Sequence, residues 1–320
     1  MRYIAELRDG DHVIDYYLVK DKQMLLTKAN KEYLKLSLED KTGSMNAMVW
    51  ELSNVISAFE KADVVQVDAK VALYNGDLQM TVARIRKAKP TEYDASEFFR
   101  TSKEKPEDIY QRLLALMQQV RDPGLRQLLA HFFVDDAQLI ARLKAHPAAK
   151  SVHHGYMGGL LEHSVSVTTI ALSFRNQYPD LNPDLLIAGG LLHDIGKLYE
   201  LNPLPLGDYS DAGNLLGHIS IGYQMVHDAA IQIPEMTPEK RLLLEHMILS
   251  HHGELDFGSP VVPKTREAMA LHLADLADSK MKQVAEAIEM DHTDGNWTGY
   301  NRPLERYIYK PLADFGEEDE

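Results

Sequence analysis

The sequence predicts a chain of two domains, a small N-terminal β-barrel followed by an all-α domain. Three observations carry that expectation. The length of 320 residues is more than one domain usually takes. Residues 1 to about 90 fall into short stretches of period two separated by turn signals, whereas from residue 106 onward apolar residues recur at helical spacing. A polar stretch lies between them, so the expected boundaries are 1–90, a linker at 91–105, and 106–320.

In the first domain, Met24-Leu25-Leu26-Thr27 is a short β run flanked by Asp21, Lys22 and Asn30. Tyr33 to Leu38 alternates strictly, which puts Leu34, Leu36 and Leu38 on one face. Asp40-Lys41-Thr42-Gly43 signals a turn, and Met45 to Trp50 resumes an extended pattern. Val64 to Leu73 and Leu78 to Ile85 flank Asn75-Gly76, a strong hairpin signal. The spacing of Leu52, Val55, Ile56 and Phe59 predicts a helical interruption between Glu51 and Lys61. About five short strands in this space fit a small barrel. In the second domain Pro106 opens a helix with the stripe Ile109, Leu113, Leu116, Met117 and Val120, and Asp122-Pro123 opens another. There is no internal repeat, and the one biased segment is the acidic tail Glu317 to Glu320.

Bulk properties narrow the chemistry. Hydrophobic residues make up 45% and charged residues 26%, ordinary for a soluble globular protein. No apolar run is long enough to span a membrane, and the polar N-terminus lacks the apolar core of a signal peptide, so a cytoplasmic protein with no membrane partner is expected. The chain has no cysteine, which removes disulfides, thiolate metal sites and a thiol nucleophile. Any metal must be held by nitrogen and oxygen. The net charge is −14, and its distribution is uneven. Residues 1–90 carry 14 basic and 13 acidic side chains, while residues 91–320 carry 20 and 35. Arg84, Arg86, Lys87 and Lys89 form a basic cluster at the end of the first part, which suits a polyanion better than the second part does.

The chemical signal is an ordered set of histidines and aspartates. His193-Asp194 lies at the end of an apolar helical run and is followed by Gly196 and Lys197. His163 precedes it, after Gly158-Gly159; His218, the pair His251-His252 and finally Asp275 follow. Convergence of imidazoles and carboxylates from five segments is what one or two divalent cations require. Taken singly, each histidine is better explained as a structural residue; the set is better explained as a metal centre. His246 reads as packing, His131, His227 and His292 as surface or structural, and Asp278 as an outer partner or an alternative to Asp275. His153, His154 and Tyr156 are candidates for a substrate entrance, weighed against a structural turn.

This order resembles the HD-domain phosphohydrolase superfamily, an all-helical fold. The resemblance implies that His163, His193, Asp194 and Asp275 ligate one cation. It also implies that His218 with one or both of His251 and His252 adds a second, bridged by Asp194. A divalent ion lowers the pKa of water enough to supply hydroxide near neutral pH. Asp194 and Lys197 are the catalytic candidates, Lys197 as a charge stabiliser for the phosphoryl group. Nitrogen and oxygen ligation suits Mn²⁺, Fe²⁺, Co²⁺, Ni²⁺ or Mg²⁺, and the resemblance favours Mn²⁺.

The N-terminal stretch from Tyr33 to Trp50 is similar to OB-fold modules that bind nucleic acid. There, aromatics stack bases and basic residues track phosphates. The candidates are Tyr33, Lys35, Trp50, Tyr74 and Arg84, against the reading that Trp50 and Tyr74 pack the barrel. An OB module joined to an HD domain, with His153 to His163 reading His-His-Gly-Tyr-Met-Gly-Gly-Leu-Leu-Glu-His, resembles the YhaM-type 3′–5′ exoribonucleases of Gram-positive bacteria. That resemblance implies hydrolysis of single-stranded RNA to nucleoside 5′-monophosphates; no residue dictates polarity or product. Single-stranded DNA as a partner and a homo-oligomeric state are compatible with the sequence. The competing functions are an HD hydrolase of nucleotides or cyclic dinucleotides, a dioxygen-activating diiron enzyme, and a non-catalytic RNA-binding protein.

Overall fold

The computed structural model describes residues 1–94, 97–98, 104–148, 156–202, 208–291, 293 and 295–310. The chain forms two compact units whose boundary in sequence falls near residue 101.

The first unit is a closed barrel of five strands. They are β1 (His12–Leu26), β2 (Glu32–Asp40), β3 (Gly43–Val49), β4 (Val64–Tyr74) and β5 (Asp77–Lys87), in the order β1-β2-β3-β5-β4. Strand β1 serves two neighbours: its first half pairs with β4 and its second half with β2, with a register shift between Val19 and Asp21. Closure is by a short parallel pairing of β3 with β5, from Asn46 opposite Gln79 to Met48 opposite Thr81. The alternation in β2 turns Leu34, Leu36 and Leu38 inward, where they join Tyr17, Val19, Ala47, Val49, Val67, Met80 and Ile85 in the barrel core. Asn75 and Gly76 both take positive φ at the β4–β5 hairpin, as a two-residue turn of the favoured hand requires.

Three features differ from, or add to, the sequence reading. Strand β1 starts at His12, because Val13, Tyr17 and Val19 face inward along a run interrupted by charges. The helical interruption after Glu51 is only a single 3₁₀ turn, Leu52–Asn54. The backbone beyond it goes to the barrel instead: Ile56 N–H donates to Ile85 O, and Val55 bridges to Ile85. Part of the expected linker also lies on the barrel. Phe98 is buried with Leu18, Val64 and Ala88, and Glu92 pairs with Arg86 at 2.9 Å.

The second unit is helical: α1 (Pro106–Met117), α2 (Pro123–Ala130), α3 (Ala137–Ala145), α4 (Gly159–Ser173), α5 (Pro183–Leu192), α6 (Lys197–Glu200), α7 (Asp211–Ala230), α8 (Pro238–Ser250) and α9 (Arg266–Glu289). Most starts follow from local chemistry. The side chains of Asp122, Asp136, Asn182, Ser210, Thr237 and Thr265 each accept a backbone N–H at a helix N-terminus, and proline opens α1, α2, α5 and α8. Helix α5 is apolar on all sides, so it forms the centre of the unit. Every residue from Leu185 to Leu192 is buried. Among the described residues no helix is long and apolar enough to cross a membrane.

Candidate metal centre and nucleic-acid interface

Five helices deliver the seven candidate ligands. His163 lies in the first turns of α4. His193 and Asp194 follow the last residue of α5. His218 stands in α7 just after Gly217, whose φ of 71° breaks the helix and re-aims the chain. His251 and His252 follow α8, and Asp275 lies within α9. Two glycines make this approach feasible. A Cβ on Gly196 would lie 2.0 Å from His218 O, so only glycine lets the turn after Asp194 rest against α7. Gly253 has φ +82°, and a Cβ there would meet the His272 ring at 2.1 Å. His272 in turn engages His251 O through Nδ1 at 3.0 Å.

The ligand atoms form two adjoining groups around Asp194. On one side, His163 Nε2 is 3.3 Å from Asp194 Oδ2, 3.2 Å from Asp275 Oδ1 and 3.3 Å from His193 Nε2. On the other, Asp194 Oδ1 is 3.4 Å from His218 Nε2 and 3.6 Å from His251 Nε2, with the His252 ring 5.1 Å from that of His218. Donors about 2.1 Å from one ion stand roughly 3.0 to 3.4 Å apart, so these spacings suit a shared cation on each side, with His251 needing to close by a few tenths of an ångström from its 3.6 Å. Asp194 Oδ1, His218 Nε2 and His251 Nε2 are buried without a hydrogen-bond partner among the described residues. A buried orphan donor or acceptor is costly. Three facing one another are best satisfied by a cation.

The opposite ring nitrogens are all engaged. Nδ1 of His193, His251 and His252 lies 2.8, 2.7 and 2.8 Å from the carbonyl oxygens of Gly190, Ile248 and Phe257. A carbonyl only accepts, so each Nδ1 carries the hydrogen and each Nε2 presents its lone pair inward. His163 Nδ1 engages Asp278 Oδ2 at 2.7 Å, and His218 Nδ1 engages Glu200 Oε1 at 2.8 Å. Glu200 also accepts the backbone N–H of His218 at 2.9 Å.

Charge in this pocket is unbalanced. Burial penalises an imidazolium at His163, yet the carboxylates of Asp194, Asp275 and Asp278 outweigh it and hold its pKa well above the ordinary value. Burial would raise Asp194 and Asp275. Lys197 and the imidazoles bring Asp194 well below the usual carboxylate range, and His163, His193 and His251 do the same for Asp275. Burial keeps His251 and His252 low, hence neutral and able to coordinate near neutral pH. Lys197 Nζ sits 2.5 Å from Asp194 Oδ2, the one ammonium that pairs with Asp194 among the described residues.

Glu200 was absent from the sequence candidates, because nothing in its spacing distinguishes it from a surface glutamate. Asp278 was legible only as an outer partner of Asp275; the structure puts it on His163 and on Ser166 Oγ. His153 and His154 lie outside the described residues. Tyr156 is buried with the Lys282 ammonium over its ring, and burial raises its phenol pKa. His246 accepts the Lys264 N–H through Nε2, and His227 engages Glu245.

The barrel candidates divide into three places. Tyr33 and Trp50 stack with ring centroids 4.8 Å apart on the outer surface of β2 and the end of β3, and Trp50 is exposed. Lys35 stands two residues along β2 from Tyr33, hence on the same face. Tyr74 is exposed at the β4–β5 hairpin. Arg84 is on β5 opposite Asp68. The basic cluster is partly neutralised, since Arg86 pairs with Glu92 and Lys87 with Asp63 at 2.7 Å.

Comparison with known proteins agrees with both halves. Residues 160–280, which contain all seven candidate ligands, match the HD domain family. Residues 18–88 match the family of OB-fold nucleic acid binding domains. Among solved structures, the second OB-fold domain of replication protein A from Methanococcus maripaludis is 25% identical, with 28% of this chain and 96% of that one covered and a TM-score of 0.23. An OB domain from Thermoplasma acidophilum is 22% identical, with 27% and 85% covered and a TM-score of 0.21. The chain thus consists of an N-terminal OB-fold barrel followed by a helical HD domain.

Proposed function

We propose that the chain is a cytoplasmic, metal-dependent 3′–5′ exoribonuclease of the YhaM type, which degrades single-stranded RNA to nucleoside 5′-monophosphates with Mn²⁺ as the preferred cation. The observation that carries the phosphohydrolase part is Asp194. Its two oxygens face separate sets of imidazoles, and three of the buried atoms involved have no hydrogen-bond partner among the described residues. One cation would be held by His163, His193, Asp194 and Asp275, and a second by Asp194, His218, His251 and His252. Bound divalent cations activate water and neutralise phosphoryl oxygens. The chain's own residues then have distinct tasks. The Nδ1 partners hold each imidazole in the tautomer that leaves Nε2 unprotonated. Asp278 and Glu200 add negative charge behind His163 and His218. Lys197 lies at the edge of the centre, where its ammonium meets charge developing on the phosphoryl group.

The RNA part rests on the OB-fold match and the Tyr33–Trp50 stack beside Lys35. Exposed aromatics next to a cation bind unstacked bases and phosphates with little sequence preference. A monomeric nucleotide substrate gives such a surface no task.

The test uses the full chain, Mn²⁺ and a 5′-labelled single-stranded RNA. A ladder of labelled products shortening from the unlabelled end is expected. Release of labelled mononucleotide first would reverse the polarity. Intact RNA alongside hydrolysis of nucleotides or cyclic dinucleotides would overturn the nuclease reading in favour of a nucleotide phosphohydrolase.

A further inference from the structure

Residues 295–310 lie beyond both family matches and fold back after α9 as a small antiparallel ladder. Trp297 bridges to Tyr309 and Asn301 to Arg306, and Thr298 N–H donates to Ile308 O at 2.8 Å. One side is anchored: Leu304 and Ile308 are buried with Ala287 of α9, and Val284 and Ile288 pack against them. The base is fastened by Asp291, which accepts from Lys310 Nζ at 2.8 Å, Thr293 Oγ1 at 2.6 Å and Gly299 N–H at 2.9 Å.

The other side carries four rings that nothing in the metal chemistry uses. Trp297, Tyr300, Tyr307 and Tyr309 are between 47% and 60% exposed. Tyr307 and Tyr309 are two residues apart and so share a face, opposite the buried Ile308. The rings form two pairs, Trp297 with Tyr309 at 5.1 Å and Tyr300 with Tyr307 at 5.3 Å, both edge to face. Pairing fixes their orientation while leaving ring surface open to solvent. Residues 91–320 are strongly acidic, yet this segment holds Arg302, Arg306 and Lys310 against a single acid, Glu305. Neither arginine is in an ion pair among the described residues. Lys310 pairs with Asp291, so Arg302 and Arg306, both exposed, are the cations this segment leaves for a polyanion, with Arg306 Nε also donating to Leu304 O at 2.7 Å.

We propose that this aromatic ladder is a second contact for single-stranded nucleic acid, on the helical unit itself, with bases stacking on Trp297, Tyr300, Tyr307 and Tyr309 and phosphates meeting Arg302 and Arg306. This rests on the nuclease reading above. A polyanion with flat apolar bases matches both features of the segment, and aromatic platforms with guanidinium groups are how unstacked strands are held. Its location also fits. Ala287 stands about 18 Å along α9 from Asp275, at 1.5 Å per residue. A strand with its end at the metal centre reaches that far within a few nucleotides.

The chain has two tryptophans, so Trp50→Phe leaves Trp297 as the only indole. That full-length variant is titrated with a twelve-residue oligouridylate, with Ca²⁺ replacing Mn²⁺, while anisotropy of a labelled oligomer reports binding independently. Saturable quenching of Trp297 in step with the anisotropy is expected. In an otherwise wild-type chain, Arg302→Gln with Arg306→Gln should lower the slope of log K against log salt by about 1.4, the value for two lost phosphate contacts on a single strand. Circular dichroism checks that this variant is folded. Binding by anisotropy with unchanged Trp297 emission and unchanged salt slope would overturn the inference while leaving the nuclease reading intact. No binding by the wild-type chain would remove the nuclease reading and this inference with it. A shift from dimer to monomer in the arginine variant, with RNA affinity intact, would make the face a contact between copies and overturn its RNA role.

Discussion

Replacing Glu200 tests the two-cation arrangement without touching a ligand. Its buried carboxylate accepts both the Nδ1–H and the backbone N–H of His218, at 2.8 and 2.9 Å. In Glu200→Ala, His218 loses the partner that aims Nε2 at Asp194 Oδ1. Outer partners of metal-binding histidines are worth about 10- to 100-fold in metal affinity, or roughly 1.4 to 2.8 kcal/mol at about 1.4 kcal/mol per decade. The orphaned N–H adds about 1 to 3 kcal/mol of destabilisation. Only one of the two cations should respond, because His163, His193 and Asp275 owe their orientation to other groups. The assay is stepwise removal of Mn²⁺ by graded chelator, followed by elemental analysis. One equivalent should leave at 10- to 100-fold lower chelator strength than in the parent chain, and the other should be unmoved. Glu200→Gln keeps one oxygen acceptor and should fall between. Equal weakening of both equivalents, or of neither, would refute the assignment of His218 to a separate cation.

Further outcomes are expected. Asp194→Ala should keep its helical circular dichroism yet lose bound cation and hydrolysis; native metal content in a folded variant would contradict the bridging role. Cation binding should release close to one proton per chain near neutral pH, because metal-free His163 is held protonated by its three carboxylates and must give that proton up. The sign follows from a raised pKa, with the proton bound below that value, and heats of Mn²⁺ binding that do not depend on the buffer's ionisation enthalpy would count against it. Gly253→Ala combines a positive φ with a Cβ placed on the His272 ring, so the melting temperature should drop and bound metal with it. A stable, metal-replete variant would show that the turn adapts. Trp50→Ala should weaken single-stranded RNA binding by about 1–3 kcal/mol, measured in Ca²⁺; unchanged affinity would return Trp50 to a packing role.

What was legible in the sequence follows the range of each interaction. Helix starts rest on local chemistry, so Pro106 and Asp122-Pro123 declare themselves. The inward face of β2 rests on alternation, and Leu34, Leu36 and Leu38 show it. The ligand order could be written down because His163, His193-Asp194, His218, His251-His252 and Asp275 are chemically distinctive residues in a recognisable sequence order. Their partition between the two oxygens of Asp194 could not, since it depends on how α4, α5, α7, α8 and α9 pack. Glu200 escaped for the same reason: its task exists only once α6 lies beside the broken turn at Gly217. The helix expected after Glu51 failed because Val55 and Ile56 had a better backbone partner in Ile85, thirty residues away in sequence.

Both His193 and His251 begin where a helix ends, and both hand their Nδ1 hydrogen to a carbonyl of that helix's last turn, Gly190 O and Ile248 O. The peptide dipoles of α5 and α8 therefore both point their negative ends, each equivalent to about half an electronic charge, into the same small space. The imidazole relays that potential from carbonyl to Nε2. Part of the affinity for a cation is thus written into the backbone direction of two helices rather than into any side chain. Alanine at His193 or His251 would remove a ligand but leave this field standing, and a residual preference for cations should survive either substitution.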